Sequence, residues 1–120
     1  MRKILVAEDD PLVLSQYQRS LSGAGYDVHT ASNGQMALEV YRVHMPFDIL
    51  ITDKDMPCLN GLQLLESLQG ETIPHRFLIT ADYEDGIRQR AAELGAELVT
   101  KPLRMAQLLE KIKLAYPVEV

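Results

Sequence analysis

Apolar and polar positions fall in alternating blocks along this chain. Short runs rich in β-branched residues near 3–8, 26–31, 48–53, 76–80 and 97–100 have the length and composition of strands. Ile4-Leu5-Val6-Ala7 and Ile49-Leu50-Ile51 are continuous rather than alternating, which predicts strands covered on both faces. Between and after these runs, apolar residues recur at helical spacing. Val13, Tyr17 and Leu21 follow Pro11, a residue suited to a first turn, and the pattern stops at Gly23 and Gly25. Ala37, Val40 and Tyr41 mark a second helix between Asn33-Gly34 and Pro46. Leu62, Leu65 and Leu68 mark a third up to Gly70, and Ile87, Ala91 and Leu94 a fourth before Gly95. Met105, Leu108, Leu109, Ile112 and Ala115 give the fifth, until Pro117. Five strands alternating with five helices predict one α/β domain over 1–120. Its sheet is expected to be parallel, with helices on both faces and right-handed crossovers.

Four of the apolar runs end on a residue able to act on a phosphoryl group. The first leads into Glu8-Asp9-Asp10, the third into Asp53, the fourth into Thr80, and the fifth into Lys101, followed by Pro102. In an open parallel sheet the C-terminal strand ends share one edge, and ligands bind there.

Composition narrows the reading without changing it. With 120 residues, 47% hydrophobic and 24% charged, the chain is long enough for an ordinary core. A net charge of −5 argues against a free-standing nucleic-acid binder. No apolar stretch nears the roughly 20 residues of a membrane span, and the N-terminal run is too short for a signal peptide. Cys58 is the only cysteine, so no internal disulfide forms, which fits a reducing cytoplasm.

Glu8, Asp9 and Asp53 at one edge would repel unless a cation sits among them. Mg²⁺ prefers oxygen ligands and commonly holds one or two carboxylates together with phosphate oxygens. The three acids carry −3, whereas Mg²⁺ and the Lys101 ammonium carry +3. Asp53 is the candidate nucleophile, because a carboxylate attacks phosphorus to give an aspartyl phosphate. Lys101 is placed to neutralise phosphoryl oxygens; Pro102 biases it towards extended backbone and admits a cis peptide. Thr80 offers a hydroxyl. Asp10, beside Pro11, is expected to be a helix N-terminal charge.

The acid pair after the first strand, Asp53-Lys54-Asp55-Met56-Pro57 with Gly61, Thr80-Ala81 and Lys101-Pro102 together resemble the receiver domains of two-component response regulators. The resemblance spans residues 2–116, including Ala31-Ser32-Asn33-Gly34 and Gly95-Ala96. It implies a flavodoxin-like, doubly wound sheet of order 2-1-3-4-5. It implies that Asp53 accepts phosphate from a phosphohistidine on a sensor kinase or phosphotransfer protein. Glu8, Asp9, Asp53 and the backbone carbonyl of Asp55 would hold Mg²⁺, while Thr80 and Lys101 bind the phosphoryl group. Output would pass through the face at 84–116, and the domain would assist only its own phosphorylation and dephosphorylation rather than act as an enzyme.

Leu98 departs from the family pattern. Many receivers carry Phe or Tyr three residues before the lysine, so an aromatic rotamer switch is not expected here. Asp55 and Asp82, two residues beyond Asp53 and Thr80, bear on aspartyl-phosphate lifetime in the family. Lys54 is expected to be a solvated charge and Cys58 a spectator thiol. His29, His44 and His75 share no metal-ligand spacing. Two rival readings are a Mg²⁺-dependent phosphatase of the haloacid-dehalogenase type, from Asp53-Lys54-Asp55, and a degenerate receiver serving only as an interaction module. Against the first, the acid pair precedes the nucleophile and 120 residues leave no room for a capping insertion.

Overall fold

The structure, a computed structural model, describes residues 1–82 and 84–117. The elements run β1 (Lys3–Ala7), α1 (Pro11–Gly23), β2 (Asp27–Ala31), α2 (Gly34–His44) and β3 (Ile49–Asp53). After these come α3 (Gly61–Ser67), β4 (His75–Thr80), α4 (Asp85–Glu93), β5 (Ala96–Thr100) and α5 (Met105–Ala115). All neighbouring strands are parallel, in the order β2-β1-β3-β4-β5. The doubly wound order expected from the resemblance is therefore the one observed.

Strand parity divides the core in two. Ile4, Val6, Ile49, Ile51, Phe77 and Ile79 pack with Tyr17 and Leu21 of α1 and Leu108 and Ile112 of α5. Leu5, Leu50 and Leu78 pack on the other side with Ala37 and Tyr41 of α2, Leu64 and Leu65 of α3, and Ala91 of α4. Successive strand residues face opposite ways, so continuous apolar runs serve both layers at once. Each large buried side chain contributes about 1.5–3 kcal/mol by leaving water.

The sequence-derived boundaries shift by one residue at most strand ends. Glu8, Tyr26 and Asp48 lie outside the strands, while β4 and β5 start one residue earlier, at His75 and Ala96. Asp48 has another use: its carboxylate accepts the Lys3 backbone N–H at 2.8 Å. The third helix also needs correction. Its buried face is Gly61, Leu64 and Leu65, with Leu68 buried as the C-cap, and Leu62 only partly buried. A strict three-residue stripe drifts off a 3.6-residue period; the i, i+3, i+4, i+7 set holds it. Ala115 is exposed at the end of α5.

Local chemistry sets the loops at the C-terminal edge. Asp10 caps α1 by accepting the Leu12 N–H at 2.9 Å, with Pro11 in the first turn, as its position suggested. Asn33 caps α2 through Met36 N–H at 2.8 Å. Asn60 and Gln63 form a reciprocal capping box at the start of α3. The loop between β3 and α3 is closed by Gly61 N–H on Lys54 O at 2.9 Å and by Gly34 N–H on Leu59 O at 3.2 Å. Both glycines permit close backbone approach. A Cβ at Gly61 would lie 2.2 Å from Asp53 O, and one at Gly34 would lie 2.2 Å from Leu59 O. The Met45–Pro46 and Lys101–Pro102 peptides are cis.

This packing predicts that Gly61→Ala lowers stability by about 1–3 kcal/mol through overpacking. Gly23→Ala, with nothing within 4 Å of the added methyl, is expected to be neutral or mildly stabilising. Urea unfolding of the two variants beside the parent checks the contrast.

Candidate functional site: an acidic pocket at the sheet edge

Parity carries three key side chains to one side of the edge. Glu8 continues the Ile4–Val6 row, Asp53 the Ile49–Ile51 row, and Lys101 the row of Val99, which packs in the α1/α5 layer. Parallel register then aligns the strand ends, with Ala7 opposite Thr52 and Asp53 opposite Ile79. Carboxylate oxygens of Glu8, Asp9 and Asp53 all lie within 4.8 Å of one another. Lys101 Nζ sits 2.8 Å from Asp53 Oδ1. These residues line a cavity of about 490 Å³ together with Asp10 and Asp55.

Glu8 and Asp53 are buried, whereas Asp9 is exposed. Burial pushes the Glu8 carboxyl up to about 7; the Asp10 N–H, 3.1 Å from Oε1, opposes this, and the Asp53 charge reinforces it. Burial also raises Asp53, the Lys101 ammonium works the other way, and Asp9 and Asp55 add repulsion. Contact with Asp53 raises Lys101 in turn. Each shift has the sign expected for acids crowded where water is scarce.

The residues present fit a hard cation. Asp53 Oδ1 is buried, with the Lys101 ammonium 2.8 Å away. One ammonium beside three clustered carboxylates leaves negative charge that a further cation would offset. Three converging carboxylates form the oxygen donor set that such an ion takes.

The other expected site residues are placed differently. Asp55 lines the cavity, although its carboxylate is exposed and paired with Lys54. Thr80 is buried and shares the parity of Leu78, on the α2–α4 side, and it does not line the cavity. Its hydroxyl oxygen accepts the Asp82 N–H at 2.9 Å, a local turn. Leu98 is partly buried against the α2–α4 layer. Cys58 is exposed and has φ 68°. His29 lies 3.3 Å from Asp27 and 4.6 Å, ring to ring, from His44; His75 meets the Tyr116 ring edge-on.

Two expectations need revision. Lys54 is not a solvated charge: its side chain is only 18% exposed and pairs with Asp55 at 3.2 Å and Asp82 at 3.6 Å. A side chain beyond the edge is drawn in because two acids flank it. Tyr17, assigned from spacing to the core face of α1, also forms part of the cavity wall with Val13 and Gln16. Burial, with Glu8 and Asp53 nearby, pushes its phenol far above the ordinary range. The signal was present in the sequence. A helix starting directly after the acid pair must carry its first two turns over that edge.

Residues 4–113 match the family model of the response regulator receiver domain. The chain is 32% identical over 116 residues to the transcriptional regulatory protein KdpE of Mycobacterium tuberculosis, covering 96% of this chain and 51% of that protein. It is 32% identical over 114 residues to the alkaline phosphatase synthesis transcriptional regulatory protein PhoP of Bacillus subtilis, covering 93% and 47%. Among solved structures, the chemotaxis protein CheY4 of Vibrio cholerae superposes with a TM-score of 0.85 at 25% identity, covering 94% of this chain and 97% of that one. The chain belongs to the response regulator receiver domains, the signalling modules of two-component systems. It spans about half the length of the bacterial regulators it matches. Receiver domains bind Mg²⁺ at an acidic pocket, and the cluster of Glu8, Asp9 and Asp53 occupies that place here. No helix among the described residues is long and apolar enough to cross a membrane. Family membership leaves the haloacid-dehalogenase reading of Asp53-Lys54-Asp55 without support.

With divalent cations chelated, the pocket predicts a stability that falls as pH rises. The folded state holds a proton on Glu8 up to about pH 7, against 4.5 ordinarily, so it binds more protons than the unfolded chain within that window. The Glu8 contribution is complete below about pH 4.5 and lost by about pH 7, at most about 3 kcal/mol. Thermal unfolding in EDTA across this range should show the decline, and Glu8→Gln should flatten it.

Proposed function

We propose that this receiver domain takes a phosphoryl group onto Asp53 from a phosphohistidine on a sensor histidine kinase or histidine phosphotransfer protein. The reading rests on one observation above all. A buried Asp53 oxygen lies 2.8 Å from the Lys101 ammonium, inside a cluster of carboxylates that calls for a divalent cation.

Glu8, Asp9, Asp53 and the backbone carbonyl of Asp55 would hold Mg²⁺. Bound there, the ion supplies positive charge to the carboxylates and to the phosphoryl oxygens. One carboxylate oxygen of Asp53 attacks phosphorus while the phosphorus–nitrogen bond of the donor breaks. The electron pair leaves with the imidazole, and the product is an aspartyl phosphate on Asp53. Lys101 is already beside the nucleophile, so its ammonium needs little rearrangement to meet the added negative charge. Burial excludes most water from Asp53 and strengthens both effects. The modified residue carries nearly one further negative charge and three acceptor oxygens. Besides Lys101, the Thr80 hydroxyl at the end of the neighbouring strand β4 would answer them, and its movement would bias the loop between β4 and α4.

Output runs through the face formed by α4, β5 and α5, at 84–116. With Leu98 instead of an aromatic ring, it proceeds by loop and helix repacking. The domain, 1–120, acts on itself rather than on a separate substrate, in the cytoplasm, and has no nucleic-acid-binding element of its own.

Asp53→Asn is expected to abolish labelling by a phosphohistidine donor with Mg²⁺; labelling at the parental rate would refute the assignment. Lys101→Ala is expected to slow labelling by on the order of 10²-fold, as measured by rapid-quench transfer. A correctly folded parent that takes no label under these conditions would favour an interaction module instead.

A further inference from the structure

Lys54 and Asp82 join the two loops that flank the acidic pocket. The Lys54 backbone is fixed at the end of β3, where its N–H donates to Ile79 O at 2.9 Å. Its side chain, 18% exposed, places Nζ 3.6 Å from Asp82 Oδ2 and 3.2 Å from Asp55 Oδ1. Asp82 is in turn held at three atoms. Oδ2 faces Lys54, Oδ1 accepts the Glu84 N–H at 3.0 Å, and the backbone N–H donates to Thr80 Oγ1 at 2.9 Å. Helix α4 has no side-chain cap of its own at Glu84, so the turn at Asp82 organises its start. A continuous set of contacts therefore runs from the residue after the phosphoacceptor to the hydroxyl of Thr80.

Thr80 lies on the opposite face of the sheet from Asp53 and outside the cavity. Its hydroxyl can accept the Asp82 N–H and donate at once, but from the opposite parity it reaches a group carried by Asp53 by turning away from that N–H or by drawing the loop along. The first frees Thr80 and leaves the pair in place; the second carries Asp82 with it and strains the Lys54–Asp82 pair. The geometry points to Lys54 as a positioning residue: its bridge to Asp82 latches the loop between β4 and α4, with Thr80, away from the pocket. This inference rests on the phosphoacceptor reading of Asp53. It adds to that reading what opposes the Thr80 movement and sets how often the movement occurs without a phosphoryl group. A half-buried pair with its charges 3.6 Å apart is a modest interaction, which suits a latch that a single modification must open.

Lys54→Met and Asp82→Asn change the net charge in opposite directions, yet each removes the bridge, and asparagine can still accept the Glu84 N–H. In the unlabelled protein, protection of the amide at position 82, taken against each sequence's own intrinsic exchange rate, is expected to fall about three- to fivefold in both variants. The double variant should match either single one, because the two act through one contact. Lys54→Arg should stay near the parent. After labelling with phosphoramidate and Mg²⁺ and removal of the donor, the Asp53 label should last longer in both single variants, since a freer Thr80 shields it. Unchanged exchange in both would overturn the latch. So would changes of opposite sign, which would mark an effect of charge alone. If no variant and not even the parent takes a label, the phosphoacceptor reading fails, while the exchange measurements still decide whether the bridge holds Thr80.

Discussion

Crowding of negative charge in a place poor in water governs this molecule. Glu8, Asp9 and Asp53 bring oxygens within 4.8 Å of one another, and two of the three are buried. No packing gain requires such an arrangement, and burial raises the proton affinity of Glu8 and Asp53 accordingly. Lys101 offsets part of the repulsion, but one ammonium cannot balance three carboxylates. The fold thus maintains an unsatisfied electrostatic demand at its edge, and a positively charged ligand or a proton answers it. Crowded, perturbed acids of this kind mark functional positions more reliably than they mark stable ones.

Much of this was legible in the sequence because the two periodicities are physically distinct. Ile49-Leu50-Ile51 serves two layers and announces a sheet buried on both sides, while Met105, Leu108, Leu109 and Ile112 trace one helical stripe. The acids and Lys101 were legible because each follows its strand directly, and parallel register brings those ends together. Parity held further information: positions 8, 53 and 101 fall in phase with the α1/α5 layer, and position 80 falls out of phase. Lys54 was not legible. Its environment is made by Asp82, 28 residues away in another loop, and spacing along the chain carries no trace of that meeting. Tyr17 was hidden for the converse reason. Apolar periodicity accounted for it, and that masked the other signal, a helix start directly after the acid pair that carries its first two turns over the cavity.

Rigidity and looseness are divided with some economy around the pocket. The side nearest Asp53 is locked, since Gly61 and Gly34 let backbone meet backbone where even one methyl group would collide. The capping box at Asn60 and Gln63 secures the same loop from its far end. Among the described residues, the side nearest Thr80 is tied by the turns at Asp82 and by an ion pair to Lys54, and α4 starts without a side-chain cap at Glu84. Local stability follows such contact density. Asp53 therefore sits on a tightly packed mount.

Opposite parity of Asp53 and Thr80 has a geometric consequence. A ligand atom that touches both cannot lie over either face of the sheet; it must sit beyond the strand tips, in the plane that separates the two helical layers. Such an atom would join the α1/α5 layer to the α2–α4 layer at the strand tips alone.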